Sequence, residues 1–290
     1  MAKAKALPFT VQRTSPVCVR MAFDKVAPNN EQWVLVTADR HWDSPSSNHA
    51  KQIEHLKEAK ERGAAVWDFG DLFCLMQLPG DKRAVPHGKR DEHNRPNYLD
   101  QVVSDATEFF RPYAANIAVL GQGNHETAVQ KYTTSNLTDR LASGLRASGS
   151  PAIACGYRGY IRCVFNRTST QRQHTIVYWS HGSGGGAPVT QGVIQTNRRA
   201  VMVPDADLVF SGHIHRTWTV GIPRYRLGDT GIETADEQVH CCIPTYKEAQ
   251  ANKDGGWEHE RELMPWAQGA VWLRFYVKSD TLRFDITRAQ

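Results

Sequence analysis

The sequence predicts an α/β fold of four layers, two mixed β-sheets packed face to face with helices on the outside. Three observations lead there. Up to about residue 147, short apolar runs alternate with stretches of helical periodicity, which is the βαβ pattern of a parallel sheet. After Gly149-Ser150-Pro151 the chain becomes a succession of short β-like runs. Acidic, amide and imidazole residues recur where those runs end, the edge at which open α/β sheets place their ligands. All 290 residues read as one domain, interrupted by a polar insertion at 76–97.

Residues 1–30 read as irregular apart from a strand at 17–23 and a loop at 28–30. A strand over 33–38 ends in Asp39-Arg40-His41, and a turn around Asp43-Ser44-Pro45 leads to a helix over 48–62. On that helix Ile53, Leu56, Lys60 and Ala64 or Ala65 share one side, and Gly63 stops it. The next strand, Ala65-Val66-Trp67-Asp68-Phe69, is apolar enough to be central and turns at Gly70 onto Asp71. The insertion that follows carries Lys82, Arg83, His87, Lys89, Arg90, His93 and Arg95. A helix over 97–113 buries Leu99, Val102, Val103, Ala106, Phe109 and Phe110 as a core stripe. The strand over 116–120 then runs into Gly121-Gln122-Gly123-Asn124-His125-Glu126, with helices from near Glu126 and over 137–147, the latter capped by Ser135 or Asn136. Later strands are expected at 152–155, 160–165, 175–180, 208–210, 218–222, 239–243, 270–277 and 282–286, with a short helix over 191–201. Strand 175–180 ends in His181 and a glycine-rich loop at 182–186; strand 208–210 ends in Ser211-Gly212-His213-Ile214-His215.

Composition narrows the class. Hydrophobic residues at 40% and charged residues at 22% are ordinary globular values, and the net charge of +5 suits an anionic substrate. The six cysteines include no C-x-x-C pair, which excludes a zinc ribbon or a thioredoxin-like site and suits free thiols in a reducing compartment. Residues 1–10 have no apolar run of a secretory signal, and no stretch of eighteen apolar residues is present, so the expectation is a cytoplasmic protein without a membrane span. The glycines at 182–186 lack the G-x-x-x-x-G-K-[ST] spacing of a nucleotide-binding loop and read as tight packing. Trp257 and Trp266, in a polar stretch, could edge the site or an oligomer interface, but read first as packing on their own sheet.

The residues at strand ends are Asp39, His41, Asp71, Asn124, His125, His181, His213 and His215. Imidazoles, carboxylates and an amide oxygen without thiolate suit Mn²⁺, Fe, Zn²⁺ or Mg²⁺ rather than Cu(I) or an iron–sulfur cluster. In an extended Asp-x-His or His-x-His both side chains point to one face, so each pair can reach one cavity. Glycines precede Asp71, Asn124 and His213, allowing backbone to approach a metal. A structural zinc site is disfavoured, because such sites are closed and rich in cysteine.

This order of motifs resembles the calcineurin-like metallophosphoesterase superfamily, from Asp39 to His215. The resemblance implies the α-β-β-α sandwich and two divalent ions, Mn²⁺ first, with Fe, Zn²⁺, Ni²⁺ or Mg²⁺ as alternatives. One ion would be held by Asp39, His41, Asp71 and His215, the other by Asp71, Asn124, His181 and His213, with Asp71 bridging. His125 matches the catalytic histidine, and the implied reaction is hydrolysis of a phosphoester by a metal-bridging hydroxide. Glu126 reads as a carboxylate favoured by a helix N-terminus. Where several branches place Asp or His three residues after the bridging aspartate, this chain has Cys74, which leaves Asp43 as an acid that could charge His125. Leu75 stands where protein phosphatases carry Arg, and Gly70-Asp71-Leu72-Phe73 is more similar to a nuclease branch. The whole chain also resembles phosphoesterases encoded by bacteriophages. The expected activity is a phosphodiesterase acting on DNA, RNA or a nucleotide, with the basic insertion and Arg198-Arg199 against phosphates. A phosphomonoesterase is the alternative; a non-catalytic binding protein would lack ligands that are all present here.

Overall fold

The chain opens with a hairpin, β1 (Phe9–Ser15) against β2 (Cys18–Phe23), where the sequence led us to expect irregular chain before residue 17. β1 lies at a sheet edge and buries Phe9 alone among its seven residues, so it carries almost no hydrophobic pattern. The computed structural model describes residues 7–24, 26, 27, 29–78, 81, 84, 88–166, 172–187, 189–228, 230–248 and 265–289. Lys82, Arg83, His87 and Trp257 lie outside the described residues.

Two βαβ units follow. β3 (Gln32–Thr37), β4 (Ala65–Asp68), β5 (Ile117–Leu120) and β6 (Ile153–Ala154) pair in parallel. Between them lie α1 (His49–Arg62), α2 (Tyr98–Phe110), α3 (Asn124–Thr133) and α4 (Leu137–Arg146). Asn48 caps α1 by accepting from Lys51 N at 2.9 Å, and Gly63 ends it at φ 64°, as expected. The buried face of α1 is Gln52, His55, Leu56 and Ala59, rotated from the one read in the sequence. The polar members disguised it: Gln52 Nε2 donates to Ser47 Oγ, and His55 Nδ1 meets Tyr246 Oη at 2.8 Å. α3 begins at Asn124, so Asn124 and His125 stand in its first turn and not on the loop before it.

The second half supplies β7 (Arg158–Asn166), β8 (Arg172–Ser180), α5 (Gln195–Met202), β9 (Leu208–Ser211), β10 (Trp218–Leu227), β11 (Glu233–Cys242), β12 (Ala270–Lys278) and β13 (Thr281–Ala289). The sheets run β1-β2-β7-β8-β9-β11-β10 and β13-β12-β3-β4-β5-β6. The hairpin β10–β11 is longer than the sequence suggested, because its outer half is solvent-exposed and charged. α5 starts later than expected; Gln191 and Gly192 take positive φ, which no helix continues through.

Four layers result. Phe23, Trp67, Phe69, Phe165, Trp179, Phe210 and Phe275 fill the space between the sheets. Leu56, Val102, Phe110, Leu141 and Leu145 pack the helices on the outer face of the six-stranded sheet, and Val203 and Ala206 cover part of the other. No helix among the described residues is long and apolar enough to cross a membrane.

Between Asp39 and His41, Arg40 points away from the sheet edge and is 1% exposed. Its Nε donates to Asp68 Oδ2 at 2.7 Å and its Nη1 to Gln52 Oε1 at 3.1 Å, while Tyr246 and Phe110 face the guanidinium. Asp68 Oδ1 in turn accepts from Gly70 N at 3.2 Å, so one buried pair anchors the turns before Asp71 and between Asp39 and His41. Burial raises the Asp68 pKa, and Arg40 opposes that shift. Arg40→Met leaves a buried carboxylate alone and should cost about 3–5 kcal/mol in urea unfolding, whereas Arg40→Met with Asp68→Leu should recover most of it. Equal loss in both variants would reject the pair as the cause.

Candidate metal centre

Strands from both sheets deliver side chains to one edge. β3 leads to Asp39 and His41, β4 to Asp71, β5 to Asn124 and His125, β8 to His181, and β9 to His213 and His215. Asp39, His41, Asp71, His125 and His181 are buried; Asn124, His213 and His215 are half-buried. The Asp-x-His and His-x-His pairs are not extended. Asp39, His41, Asp71, His213 and His215 have φ of 50, 44, 50, 74 and 53°, a left-handed conformation costing about 1–3 kcal/mol per non-glycine residue. Backbone bonds hold the turns: Asp39 N to Gly70 O at 2.9 Å, His41 N to Asp71 O at 3.0 Å and Trp42 N to Leu72 O at 2.7 Å. Asp39 and His41 thus converge by curling, not by strand alternation, and His213 and His215 separate into different groups.

Ligand-type atoms of Asp39, His41 and His215 lie within 4.8 Å of one another, as do those of Asp71, His181 and His213. His181 links the groups, its Nε2 3.1 Å from Asp71 Oδ2 and 3.8 Å from Asp39 Oδ1. Asp39 Oδ1, His41 Nδ1 and Asn124 Oδ1 are buried without a hydrogen-bond partner. Each such atom costs about 1–3 kcal/mol unless something else satisfies it. The Asp39 carboxylate supplies negative charge and the amide and imidazole supply neutral donors, a set that suits a cation. Burial alone would lower His181, but Asp71 and Asp39 carry it up to about 10, placing a proton among the carboxylates when no metal is bound. Burial opposes ionisation of Asp71 too, yet His181 and His125 hold its carboxyl far below the usual range. Burial first, and then His125, His215 and the Lys247 ammonium, push the His41 pKa well below the ordinary imidazole value. The oxygen and nitrogen donors fit one or more divalent cations, which would displace that proton.

His125 is oriented by main chain. Its Nδ1 hydrogen-bonds Cys74 O, which leaves Nε2 free, 3.5 Å from Asp71 Oδ2. Asp43 does not reach the imidazole, contrary to expectation. Its carboxylate accepts from Cys74 N, Leu75 N and Tyr98 Oη, and so fixes the loop that carries the carbonyl. The Cys74 thiol lies within 4.8 Å of ring nitrogens of His41 and His125, but burial, with Asp43 next, pushes it up to about 12, and it brings no charge. Glu126 does more than meet a helix terminus: it accepts from Gly123 N, Asp71 N and Phe73 N, tying the turn after β4 to the start of α3.

The glycines serve loop-to-loop contact. A Cβ on Gly123 would sit 2.0 Å from Asp71 Oδ1, and one on Gly212 2.5 Å from Asp39 Oδ2, so these glycines make room for the candidate ligand carboxylates. Below them Phe69 and Trp179 stack at 4.8 Å, and His181 Nδ1 bonds Phe69 O at 3.0 Å. In the insertion, His93 is buried against Trp42 and pairs with Asp105 Oδ2 at 3.2 Å, while Arg90 pairs with Glu92 and lies 3.3 Å from His49 Nε2. Arg199 is turned inward to Ser211 Oγ, and Arg198 is exposed.

Of the places the sequence allows Trp266, the structure shows the edge of the site and not its own sheet. Its ring meets His215 edge to face, with centroids 4.8 Å apart, and Lys247 Nζ lies 5.6 Å from the indole centroid. Across the centre Tyr157 meets His181 at 5.5 Å. No local sequence signal marks these residues, because the long chain excursions that bring them there follow from topology.

No protein-family model matches the chain, and no curated protein matches it. The chain is similar to metallophosphoesterases of known structure. A metallophosphoesterase from Sphaerobacter thermophilus is 13% identical, with 89% of this chain and 90% of that chain covered and a TM-score of 0.37. The calcineurin-like phosphoesterase YfkN from Bacillus subtilis gives 12%, 89% and 90%, at 0.40. Vps29 from Entamoeba histolytica, solved with zinc, gives 10%, 89% and 99%, also at 0.40. Such values add nothing to the chemistry of the centre, which stands on its own residues.

Proposed function

We propose that this protein is a metal-dependent phosphoester hydrolase, acting on the phosphodiester of a nucleic acid or nucleotide. The observation that carries the reading is the convergence of Asp39, His41 and His215 in one group and Asp71, His181 and His213 in another, linked by His181 Nε2 between the two carboxylates, with His125 Nε2 3.5 Å from Asp71 Oδ2. Asp39, His41, Asp71 and His215 would hold one divalent ion, and Asp71, Asn124, His181 and His213 a second. Bound there, such ions supply Lewis acidity toward phosphoryl oxygens and an activated water at neutral pH.

The side chains contribute the rest. His125, held through Nδ1 by the Cys74 carbonyl, presents Nε2 to donate a proton to the leaving oxygen. Asp71 is fixed by its own backbone N–H to Glu126 and by accepting from His125 N at 3.0 Å. The net charge of +5 supports an anionic substrate. The six free cysteines support a reducing, cytoplasmic setting, and a core shared by both sheets supports reading the chain as one domain.

The test strips the protein of metal, reloads it with Mn²⁺ and compares bis-(p-nitrophenyl) phosphate, p-nitrophenyl phosphate and single-stranded DNA. Faster diester turnover with DNA cleavage is the expected result. Preference for the monoester would replace the diesterase reading with a phosphatase, and inactivity toward all three with metal bound would reject hydrolysis of these classes.

A further inference from the structure

Lys247 and Trp266 reach the centre from outside the strand-end motifs. Lys247 follows β11 through the buried residues 243–246, and Thr245 holds it in place: Thr245 Oγ1 donates to Asp39 O at 2.7 Å and accepts from Lys247 N at 3.0 Å. Thr245 also anchors the other partner, since Thr245 N donates to Ala267 O at 3.0 Å and Gly269 N to Thr245 O at 2.8 Å. Arg216 Nη1 binds Pro265 O at 3.0 Å, directly before Trp266. One threonine thus couples the backbone of a candidate ligand to both the lysine and the tryptophan.

The pair has a chemistry of its own. Trp266 is half-buried and meets His215, on the side of the centre that Asp39 and His41 share. The ammonium of Lys247, at 5.6 Å from the indole, is at the outer limit of a cation–π contact, so turning it toward an anion costs little. Its backbone N–H is tied through Thr245 Oγ1 to Asp39 O, and its ammonium stands over the ring that meets His215. A cation next to a large flat apolar surface, one ring away from a candidate ligand, fits a phosphate attached to an aromatic group.

We propose that Lys247 and Trp266 form a substrate subsite that takes a nucleoside phosphate, the lysine on a phosphate oxygen and the indole against the base. This deepens the phosphoester reading and rests on it. It assigns the specificity for nucleosides to the His215 side of the centre.

The experiment measures binding, not turnover. Protein reloaded with Mn²⁺ is titrated calorimetrically with adenosine 5′-monophosphate and with ribose 5-phosphate, which differ by the base alone. The wild type should bind the nucleotide about tenfold more tightly, the range a single base–aromatic contact supplies. Trp266→Ala should abolish that gap while leaving ribose 5-phosphate binding and Mn²⁺ content unchanged, and Trp266→Phe should keep most of it. Lys247→Met should weaken both probes by about tenfold, as loss of a charged hydrogen bond does. Equal affinity for both probes in the wild type, or a gap that survives Trp266→Ala, overturns the subsite while leaving the metal centre standing. If Trp266→Ala weakens both probes alike, the indole merely braces His215 and the subsite is equally rejected. A chain that takes up no Mn²⁺ and binds neither probe rejects the phosphoester reading, and the subsite with it.

Discussion

Asp71→Asn protein should fail to regain metal after chelation, with affinity for Mn²⁺ down by more than about a hundredfold, beyond what losing an outer partner of a ligand costs. The carboxylate stands at the middle of the centre: Oδ2 faces both His181 Nε2 and His125 Nε2, and Oδ1 receives the His125 N–H. An amide at this position keeps the size and one acceptor. It removes the charge that holds His181 protonated, and it must direct an NH₂ group at an imidazole or at a cation. Metal analysis by mass spectrometry decides the matter without an assay of turnover. Wild-type stoichiometry in this variant would take the bridging role away from Asp71. Folding is a separate readout, because Glu126 ties the turn to α3 through three backbone N–H groups and the amide oxygen of the variant can still accept from His125 N.

His125→Ala should do the opposite, keeping metal and losing turnover. The expected fall in kcat is about 10²–10⁴-fold, the usual contribution of a positioned general acid. The loss should be smallest for p-nitrophenyl esters, whose leaving group needs no proton, and largest for alkyl or nucleoside esters. That dependence separates proton donation from a structural role, which would penalise all esters alike. The backbone N–H of residue 125 survives the substitution, so its bond to Asp71 Oδ1 remains. Undiminished turnover of alkyl esters would remove His125 from the mechanism.

Much of this arrangement was legible in the sequence. β3, β4 and β5 are buried runs with few readings other than central strands, and Asn48 and Gly63 bound α1 as their side-chain chemistry dictates. The clustering of acids, amide and imidazoles at strand ends needed topology alone, since parallel strands in βαβ units share one edge. Backbone conformation at the centre was not legible. Nothing about an Asp-x-His tripeptide announces two left-handed residues, which are unfavourable locally and are imposed by the bonds to the turn after β4. The orientation of His125 was misread for a related reason. Sequence reveals side chains able to charge an imidazole, whereas the partner here is a carbonyl, and every residue has one. Buried polar residues misled as well: Gln52 and His55 lie on the inward face of α1 because partners await them there, and periodicity scores them as surface. Trp266 and Lys247 arrive through long-range contacts made by Thr245, a residue without any motif.

The candidate ligands are divided between the sheets: Asp39, His41, Asp71 and Asn124 belong to one, and His181, His213 and His215 to the other. A cation held by both sets would act as a rivet across the sandwich. Holding on to metal and holding the two halves together would then be a single equilibrium, in which each tenfold rise in free cation adds about 1.4 kcal/mol per ion to the folded state. Cellular metal supply would in that way set how long the protein survives, apart from how fast it works.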